Sequence, residues 1–100
     1  MRPDIQVLNP KEINEKLKEI PGWKYKENKI EKEFQFKEFL EVLAFLVKIS
    51  PFFEKNDHHP DMHIYYSKVL FQLTRWDIGG KVTNMDFITA SEIERVFKGV

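Results

Sequence analysis

The sequence predicts an α+β domain, a two-layer sandwich in which one antiparallel sheet is covered by helices. The spacing of apolar residues changes four times along the chain between a helical period of about 3.6 and a strand period of about 2. Each segment with the shorter period contains two strand-like runs, which indicates two hairpins separated by helices. We therefore expect a four-stranded antiparallel sheet with three helices on one face, in the order α-β-β-α-β-β-α.

Size and composition fit a single domain spanning residues 1–100. The chain is 42% hydrophobic, and 16 acidic residues balance 16 basic ones. A net charge of zero argues against direct nucleic-acid binding. The absence of cysteine excludes disulfides, thiolate metal sites and a cysteine nucleophile. No signal-peptide run opens the sequence and no segment reaches the ~20 apolar residues of a membrane span, so we expect a cytoplasmic protein without a membrane partner.

The first helix is predicted over residues 11–20, where apolar residues recur at helical spacing. Asn9 suits the N-cap, with Pro10 at the first helical position and Glu12 three residues after the cap. Pro21-Gly22 should end this helix.

A hairpin is predicted next. Residues 23–26 and 30–36 alternate apolar and polar side chains on either side of a turn at 27–29, and the alternation breaks near Lys32. Such alternation indicates one buried face and one solvated face.

The central helix is predicted from Lys37 onward by a broad apolar stripe. The stripe consists of Phe39, Leu40, Val42, Leu43, Leu46, Val47 and Ile49. Pro51 lies inside the pattern, and an interior proline costs a helix about 3 kcal/mol. Either the helix kinks there, or it stops and restarts with Ser50 as N-cap and Pro51 at the first position.

The second half is predicted to form another hairpin and a closing helix. Residues 62–66 and 69–76 indicate strands joined around 67–68, and a glycine-bearing loop follows at 77–82. Thr83 and Asp86 fit a capping box for a helix over 84–97. That helix should bury Phe87, Ala90, Ile93 and Phe97.

One strand also suggests self-association. The run 70–73 is apolar for an exposed sheet edge, and pairing with a second copy would hide it. We therefore expect a homo-oligomer, either a homodimer or a homotetramer.

Two adjacent histidines, His58 and His59, stand where the central helix should end and the next strand begin. The negative end of the helix dipole favours a protonated imidazole there. Pro60 pushes His59 towards extended geometry, while His58 can still close the helix, so the two rings should point in different directions. A simple alternative is a pair of residues that cap the helix carbonyls.

The residue types present limit the chemistry. The sequence contains no phosphate-binding loop and no serine in a nucleophile elbow, which leaves proton transfer or metal binding by histidines and carboxylates. A possible zinc cluster consists of Asp57, His58, His59, Asp61 and His63. We expect no metal, because Pro60 separates the directions of the ligands and no histidines are spaced i, i+4 on a helix.

The spacing around the histidine pair resembles that of a known enzyme family. Glu54 is followed after three residues by His58-His59-Pro60, after five more by Tyr66, after nine by Trp76 and after nine by Asp86. This pattern is similar to the signature of the pterin-4a-carbinolamine dehydratases. The aromatic-rich strands, the glycine-bearing loop and the start of the last helix extend the similarity over nearly the whole chain.

The resemblance implies an enzyme that dehydrates 4a-hydroxytetrahydrobiopterin to quinonoid dihydropterin, without metal or organic cofactor, in tetrahydrobiopterin recycling. It implies His58 as acid/base, His59 as a contact that orients the pterin, and Asp86 as the partner that holds an imidazole tautomer. The residues expected to bind substrate are Glu54, Pro60, Tyr66 and Trp76.

Plainer interpretations stand beside these. Glu54 is also typical of a solvated helix charge, Tyr66 of core packing, Trp76 of a pocket wall and Asp86 of a helix cap. His63 lies outside the motif and is predicted as a surface histidine.

A second function is a non-catalytic one. Many members of this family carry a third active-site histidine where this chain has Trp76, and members in animals also serve as a dimerisation cofactor for a homeodomain transcription factor. The alternative hypothesis is therefore a pterin-binding or transcription-cofactor-like interaction protein on the same scaffold.

Overall fold

The computed structural model describes residues 5–99, so the predicted N-terminal tail before residue 5 and the end of the predicted domain at residue 100 lie outside it. The elements are α1 (Pro10–Leu17), β1 (Lys24–Lys26), β2 (Lys29–Gln35), α2 (Phe39–Asn56), β3 (Asp61–Tyr65), β4 (Lys68–Leu73), a short 3-10 helix (Trp76–Ile78) and α3 (Asn84–Lys98). The four strands form one antiparallel sheet in the order β1-β2-β4-β3. The predicted α+β sandwich with three helices is confirmed.

Helix α1 begins as its sequence predicts. The Asn9 side chain accepts from the Glu12 backbone N–H at 2.8 Å, and the Glu12 carboxylate accepts from the Asn9 N–H at 3.0 Å. The helix ends at Leu17 rather than at Ile20. Residues 18–20 continue in tight turns, in which each backbone N–H donates to the carbonyl three residues earlier. Pro21 prevents the chain from continuing as a helix beyond these turns, because a proline disfavours helical geometry in the residue before it.

The β1–β2 turn uses two residues rather than the predicted three. Glu27 and Asn28 have φ angles of 51° and 65°, the left-handed pair that a tight hairpin requires. Lys29 already pairs with Lys26 in the sheet.

Helix α2 runs through Pro51 without a break, so of the two predicted outcomes the restart does not occur. Ser50 does not act as an N-cap, since its hydroxyl donates to the Val47 carbonyl at 3.0 Å within the same helix. The residues that α2 buries are Val42, Phe45, Ile49 and Phe53.

Strand β4 lies in the interior of the sheet, paired on one side with β2 and on the other with β3. The expectation that the apolar run 70–73 forms an exposed edge is therefore wrong. The edges are β1 and β3, and β4 ends at Leu73, before Trp76. Alternate residues of β4, namely Val69, Phe71 and Leu73, are fully buried under the helices.

The break in alternation at Lys32 has a structural cause. Lys32 points to the helix-covered side of β2, where its ammonium group forms an ion pair with Glu94 of α3. The Glu94 carboxylate also accepts from the Trp23 indole N–H at 3.1 Å. A partly buried ammonium group is stabilised by such a partner, and this ion pair connects the sheet to α3.

None of the helices in the described part of the chain is long and apolar enough to cross a membrane.

Candidate active site

The end of α2 turns the chain so that His58 points into the protein. Asp57 adopts a left-handed conformation, with φ of 49°. The His58 backbone N–H then donates to the Phe53 carbonyl at 3.1 Å, and the Asp57 N–H donates to the Glu54 carbonyl at 3.3 Å. These two bonds form a Schellman-type helix end. His58 is consequently only 3% exposed.

Both ring nitrogens of His58 have a buried partner. Nε2 lies 2.5 Å from Oδ1 of Asp86, and Nδ1 lies 3.2 Å from Nη1 of Arg75. A guanidinium can only donate, so Nδ1 must accept with its lone pair. The ring proton therefore sits on Nε2 and is donated to the Asp86 carboxylate.

Asp86 makes both of the contacts that the sequence suggests, one as a helix cap and one as a histidine partner. The residue is 0% exposed. Its Oδ1 accepts from His58, while its Oδ2 accepts from the Thr83 backbone N–H at 2.7 Å and so caps α3. The cap and the histidine partner are one carboxylate, so the first turn of α3 sets the position of the His58 ring.

Arg75 is the site residue that the sequence analysis missed. It is 6% exposed, and its guanidinium contacts Asp77, the Asp57 carbonyl and His58. The sequence does contain an indication of Arg75, because it is the one positively charged residue between the apolar strand β4 and Trp76. Such a charge at the end of a buried run needs a partner.

His59 has the opposite environment. Its side chain is 53% exposed, and Nε2 lies 3.3 Å from Oε2 of Glu54, which is itself 79% exposed. A pair this exposed contributes at most about 1 kcal/mol to stability. Pro60 is buried and leads from His59 into strand β3, so His58 faces the protein interior while His59 faces solvent. The predicted divergence of the two rings is thus present in the structure.

Trp76 stands on a closed loop beside the histidines. The Arg75 backbone N–H donates to the Lys81 carbonyl at 3.0 Å, and the Gly80 N–H donates to the Arg75 carbonyl at 3.0 Å. The indole is 58% exposed, and the Lys29 ammonium lies 5.1 Å from its ring centroid. This is within the range of a cation–π contact.

These residues surround an open cleft of about 270 Å³. Its lining consists of Asp57, His58, His59, Thr74, Arg75, Trp76 and Asp77. Glu54 lies beside His59, and Asp86 lies behind His58. A larger cleft of about 680 Å³, between α2, the end of β2 and α3, is mostly apolar and contains no histidine.

Tyr66 is not part of this cleft. It occupies the β3–β4 turn with φ of 54° and is 75% exposed, so the prediction of core packing is wrong. The turn follows the end of β3 that is opposite Asp61, and only Pro60 lies between Asp61 and the histidines. Five strand residues span about 17 Å, which separates Tyr66 from His58 and His59 within one chain.

His63 is on the surface of β3, as predicted, with Nε2 3.0 Å from Oε1 of Gln72. Within residues 5–99, no group of three or more histidines and carboxylates is arranged to hold a metal ion.

Fold and site together define a class of small α+β domains with a paired-histidine cleft, one imidazole buried against a carboxylate and the other open to solvent. The family model for pterin 4 alpha carbinolamine dehydratase matches residues 6–96, and the chain belongs to this family.

Related proteins are similar in sequence to this chain over most of its length. A protein of Prochlorococcus marinus (strain AS9601) is 42% identical over 91% of this chain and 94% of its own length. A protein of Sulfurisphaera tokodaii is 45% identical over 92% of this chain and 98% of its own length. Both carry the name "Putative pterin-4-alpha-carbinolamine dehydratase".

Solved structures share the fold. A transcriptional coactivator/pterin dehydratase from Brucella melitensis superposes with a TM-score of 0.85 at 28% identity, covering 91% of this chain and 98% of its own. A pterin dehydratase-like protein described as a RuBisCO assembly factor in the alpha-carboxysome gives a TM-score of 0.59 at 19% identity, covering 74% and 84%. At that identity the second likeness concerns the fold alone.

Proposed function

We propose that this chain dehydrates 4a-hydroxytetrahydrobiopterin to quinonoid dihydropterin and water by histidine acid/base catalysis, in tetrahydrobiopterin recycling. The observation that carries the proposal is the exposed imidazole of His59 in the same cleft as Trp76 and the buried His58–Asp86 pair. Membership of the family supports the substrate class.

The chemical step requires the protein to supply and accept protons. The bond between C4a and the hydroxyl oxygen breaks, the leaving oxygen takes up a proton, and the adjacent ring nitrogen loses one as the C=N bond forms. An imidazole can act as acid or as base near neutral pH, and such catalysis contributes on the order of 10²–10⁴-fold in rate.

The geometry favours His59, rather than His58, as the group that exchanges a proton with substrate. Both nitrogens of His58 are bonded to Asp86 and Arg75, so neither is open to a ligand. Within residues 5–99, the His59 ring hydrogen-bonds only to Glu54. In this proposal Glu54 orients His59, Trp76 provides a flat wall for the pterin, and His58 with Asp86 forms the rigid back of the cleft.

The test compares three single variants in a dehydration assay with a synthetic 4a-hydroxytetrahydropterin. His59→Ala removes an exposed ring and should lower the rate at least 10²-fold, in line with a lost acid/base group, with little effect on stability. His63→Ala, which removes the surface histidine of β3, is the matched control and should keep the wild-type rate. His58→Ala should lower both rate and stability.

Two outcomes would overturn parts of the proposal. A wild-type rate equal to the rate in buffer ends the dehydratase assignment. A folded His59→Ala variant with the wild-type rate ends the assignment of His59 and returns the acid/base role to His58.

A second candidate function is pterin binding or partner binding without turnover. It is favoured by Trp76, which cannot titrate and stands where the family resemblance expects a third histidine in many members. The Trp76→His variant distinguishes the two candidate functions. If the chain is a dehydratase, a second exposed imidazole in the cleft should raise the dehydration rate several-fold. If the chain only binds a pterin or a partner, the rate with this variant should equal the rate in buffer.

Self-association remains part of the proposal, on a different strand from the one predicted. Strand β3 is a sheet edge and exposes Met62, Ile64 and Tyr65 to between 42% and 54%. An apolar edge of this kind is a template for pairing with a second copy. Light scattering after gel filtration should show a homodimer or a homotetramer.

A further inference from the structure

Arg75 lies between the two segments that form the walls of the cleft. Its Nη1 donates to the Asp57 carbonyl at 3.0 Å, on the segment that leads into His58 and His59. Its Nε donates to Oδ1 of Asp77 at 2.8 Å and its Nη2 to Oδ2 at 3.3 Å, on the segment that carries Trp76. One planar guanidinium thus joins the end of α2 to the loop after β4.

The same guanidinium controls where His58 carries its proton. Nη1 of Arg75 faces Nδ1 of His58 at 3.2 Å. A proton on Nδ1 would set two N–H groups against each other, so Nδ1 stays a bare acceptor. The ring is then left with one proton, on Nε2, which points at Asp86.

We propose that Arg75 is a positioning residue for the dehydration chemistry, acting through the tautomer of His58 and the spacing between His59 and Trp76. This inference rests on the proposed function. Arg75 needs no contact with the pterin, because its effect passes through His58 and the two cleft walls. A lysine cannot replace it, since a single ammonium lacks the fork that reaches Asp77 and the α2 end in one plane.

The test uses Arg75→Met, Arg75→Lys and a matched control, Arg95→Met. Arg95 makes a similar two-point contact with Glu92, at 2.8 Å and 2.6 Å, but on the exposed side of α3. The contact holds the pKa of Glu92 below its usual range, chiefly through the hydrogen bond from Arg95. The control variant therefore removes an arginine–carboxylate interaction that lies away from the cleft.

The first readout is the protonation of the His58 ring nitrogens, measured by long-range ¹H–¹⁵N NMR at neutral pH. Wild type and Arg95→Met should show a single Nε2–H form. Arg75→Met and Arg75→Lys should lose it, with a proton appearing on Nδ1. The measurement does not depend on turnover, so it tests Arg75 even if the wild-type protein proves to have no dehydratase activity.

The second readout is steady-state kinetics. Arg75→Met should lower kcat on the order of 10²-fold, the cost of a misplaced catalytic group. Arg75→Lys, which keeps the charge, should lower kcat less, and Arg95→Met should change it less than twofold. If Arg75→Met does not fold, Arg75→Lys decides the question. The proposal fails if the folded variant keeps the Nε2–H form, or loses it with an unchanged kcat.

Discussion

Asp86 shows how one buried carboxylate can join local structure to the site. One of its oxygens accepts a hydrogen bond at the start of α3 and the other accepts one from the ring of His58. Asp86 and His58 are both buried, at 0% and 3% exposure. Buried polar groups are tolerated when every member of the network has a partner. The consequence is that α3 cannot shift at its N-terminus without moving the back of the cleft.

Replacing Asp86 should therefore cost stability as well as activity. In Asp86→Ala the Thr83 N–H and the His58 Nε2–H lose their acceptor, and each buried donor left unpaired costs about 1–3 kcal/mol. We expect a loss of about 2–5 kcal/mol in the free energy of unfolding, measured by urea denaturation.

The conservative variant sharpens this test. Asp86→Asn retains one carbonyl oxygen and should lose less stability than Asp86→Ala. If Asp86→Ala lowers the free energy of unfolding by less than about 1 kcal/mol, the two hydrogen bonds of Asp86 contribute little to stability, which would contradict this expectation.

At the scale of elements, α2 positions the histidines despite an unfavourable residue in its interior. Pro51 lies well inside an 18-residue helix and is exposed, so it removes a backbone donor without burying its ring. The helix persists because the face that includes Phe45, Ile49 and Phe53 is buried on both sides of the proline. Tertiary packing, rather than local propensity, holds this helix together.

Pro51→Ala should raise stability. Alanine restores the backbone N–H and has the best helix propensity, against a penalty of about 3 kcal/mol for an interior proline. Because the surroundings are adapted to proline, we expect a gain of about 1–2 kcal/mol in thermal or urea unfolding. Ser50→Ala, one residue earlier on the exposed side, should change stability by less than about 0.5 kcal/mol. A destabilised Pro51→Ala variant would mean that the helix path at proline is required by packing.

At the scale of the whole molecule, aromatic rings join the sheet to the helices. Phe34 of β2 is 2% exposed and contacts four rings at centroid distances of 4.8 to 6.3 Å. Those rings belong to Trp23, Phe45, Phe71 and Phe97. Most of the contacts are edge-to-face, the arrangement that the ring quadrupoles favour.

Phe34→Ala should thus be among the most damaging substitutions in the chain. Truncating a buried phenylalanine costs about 3–5 kcal/mol, and the loss should appear as an earlier urea midpoint with a similar slope. Phe39→Ala provides the control, because Phe39 is 41% exposed at the start of α2 and should cost less than about 1 kcal/mol. Equal effects of the two variants would contradict a core centred on Phe34.

Features that depend on neighbours in sequence were predictable. Asn9 with Glu12 and Thr83 with Asp86 are capping boxes in both the pattern and the structure, because a cap needs only residues three apart. Residues at strand ends were not predictable to the same degree. Tyr66 lies in a turn and Trp76 in a 3-10 helix, since apolar alternation does not mark the residue at which pairing stops.

The sequence by itself determined the order of elements, the capped helix ends and the position of the histidine pair at a helix–strand junction. Only the tertiary structure decided that β4 is internal, since β2–β4 pairing joins segments far apart in the chain. It also decided which histidine is buried. That choice depends on Asp86 and Arg75, which lie 28 and 17 residues from His58 and reach it only when α3 and the loop after β4 pack against the end of α2.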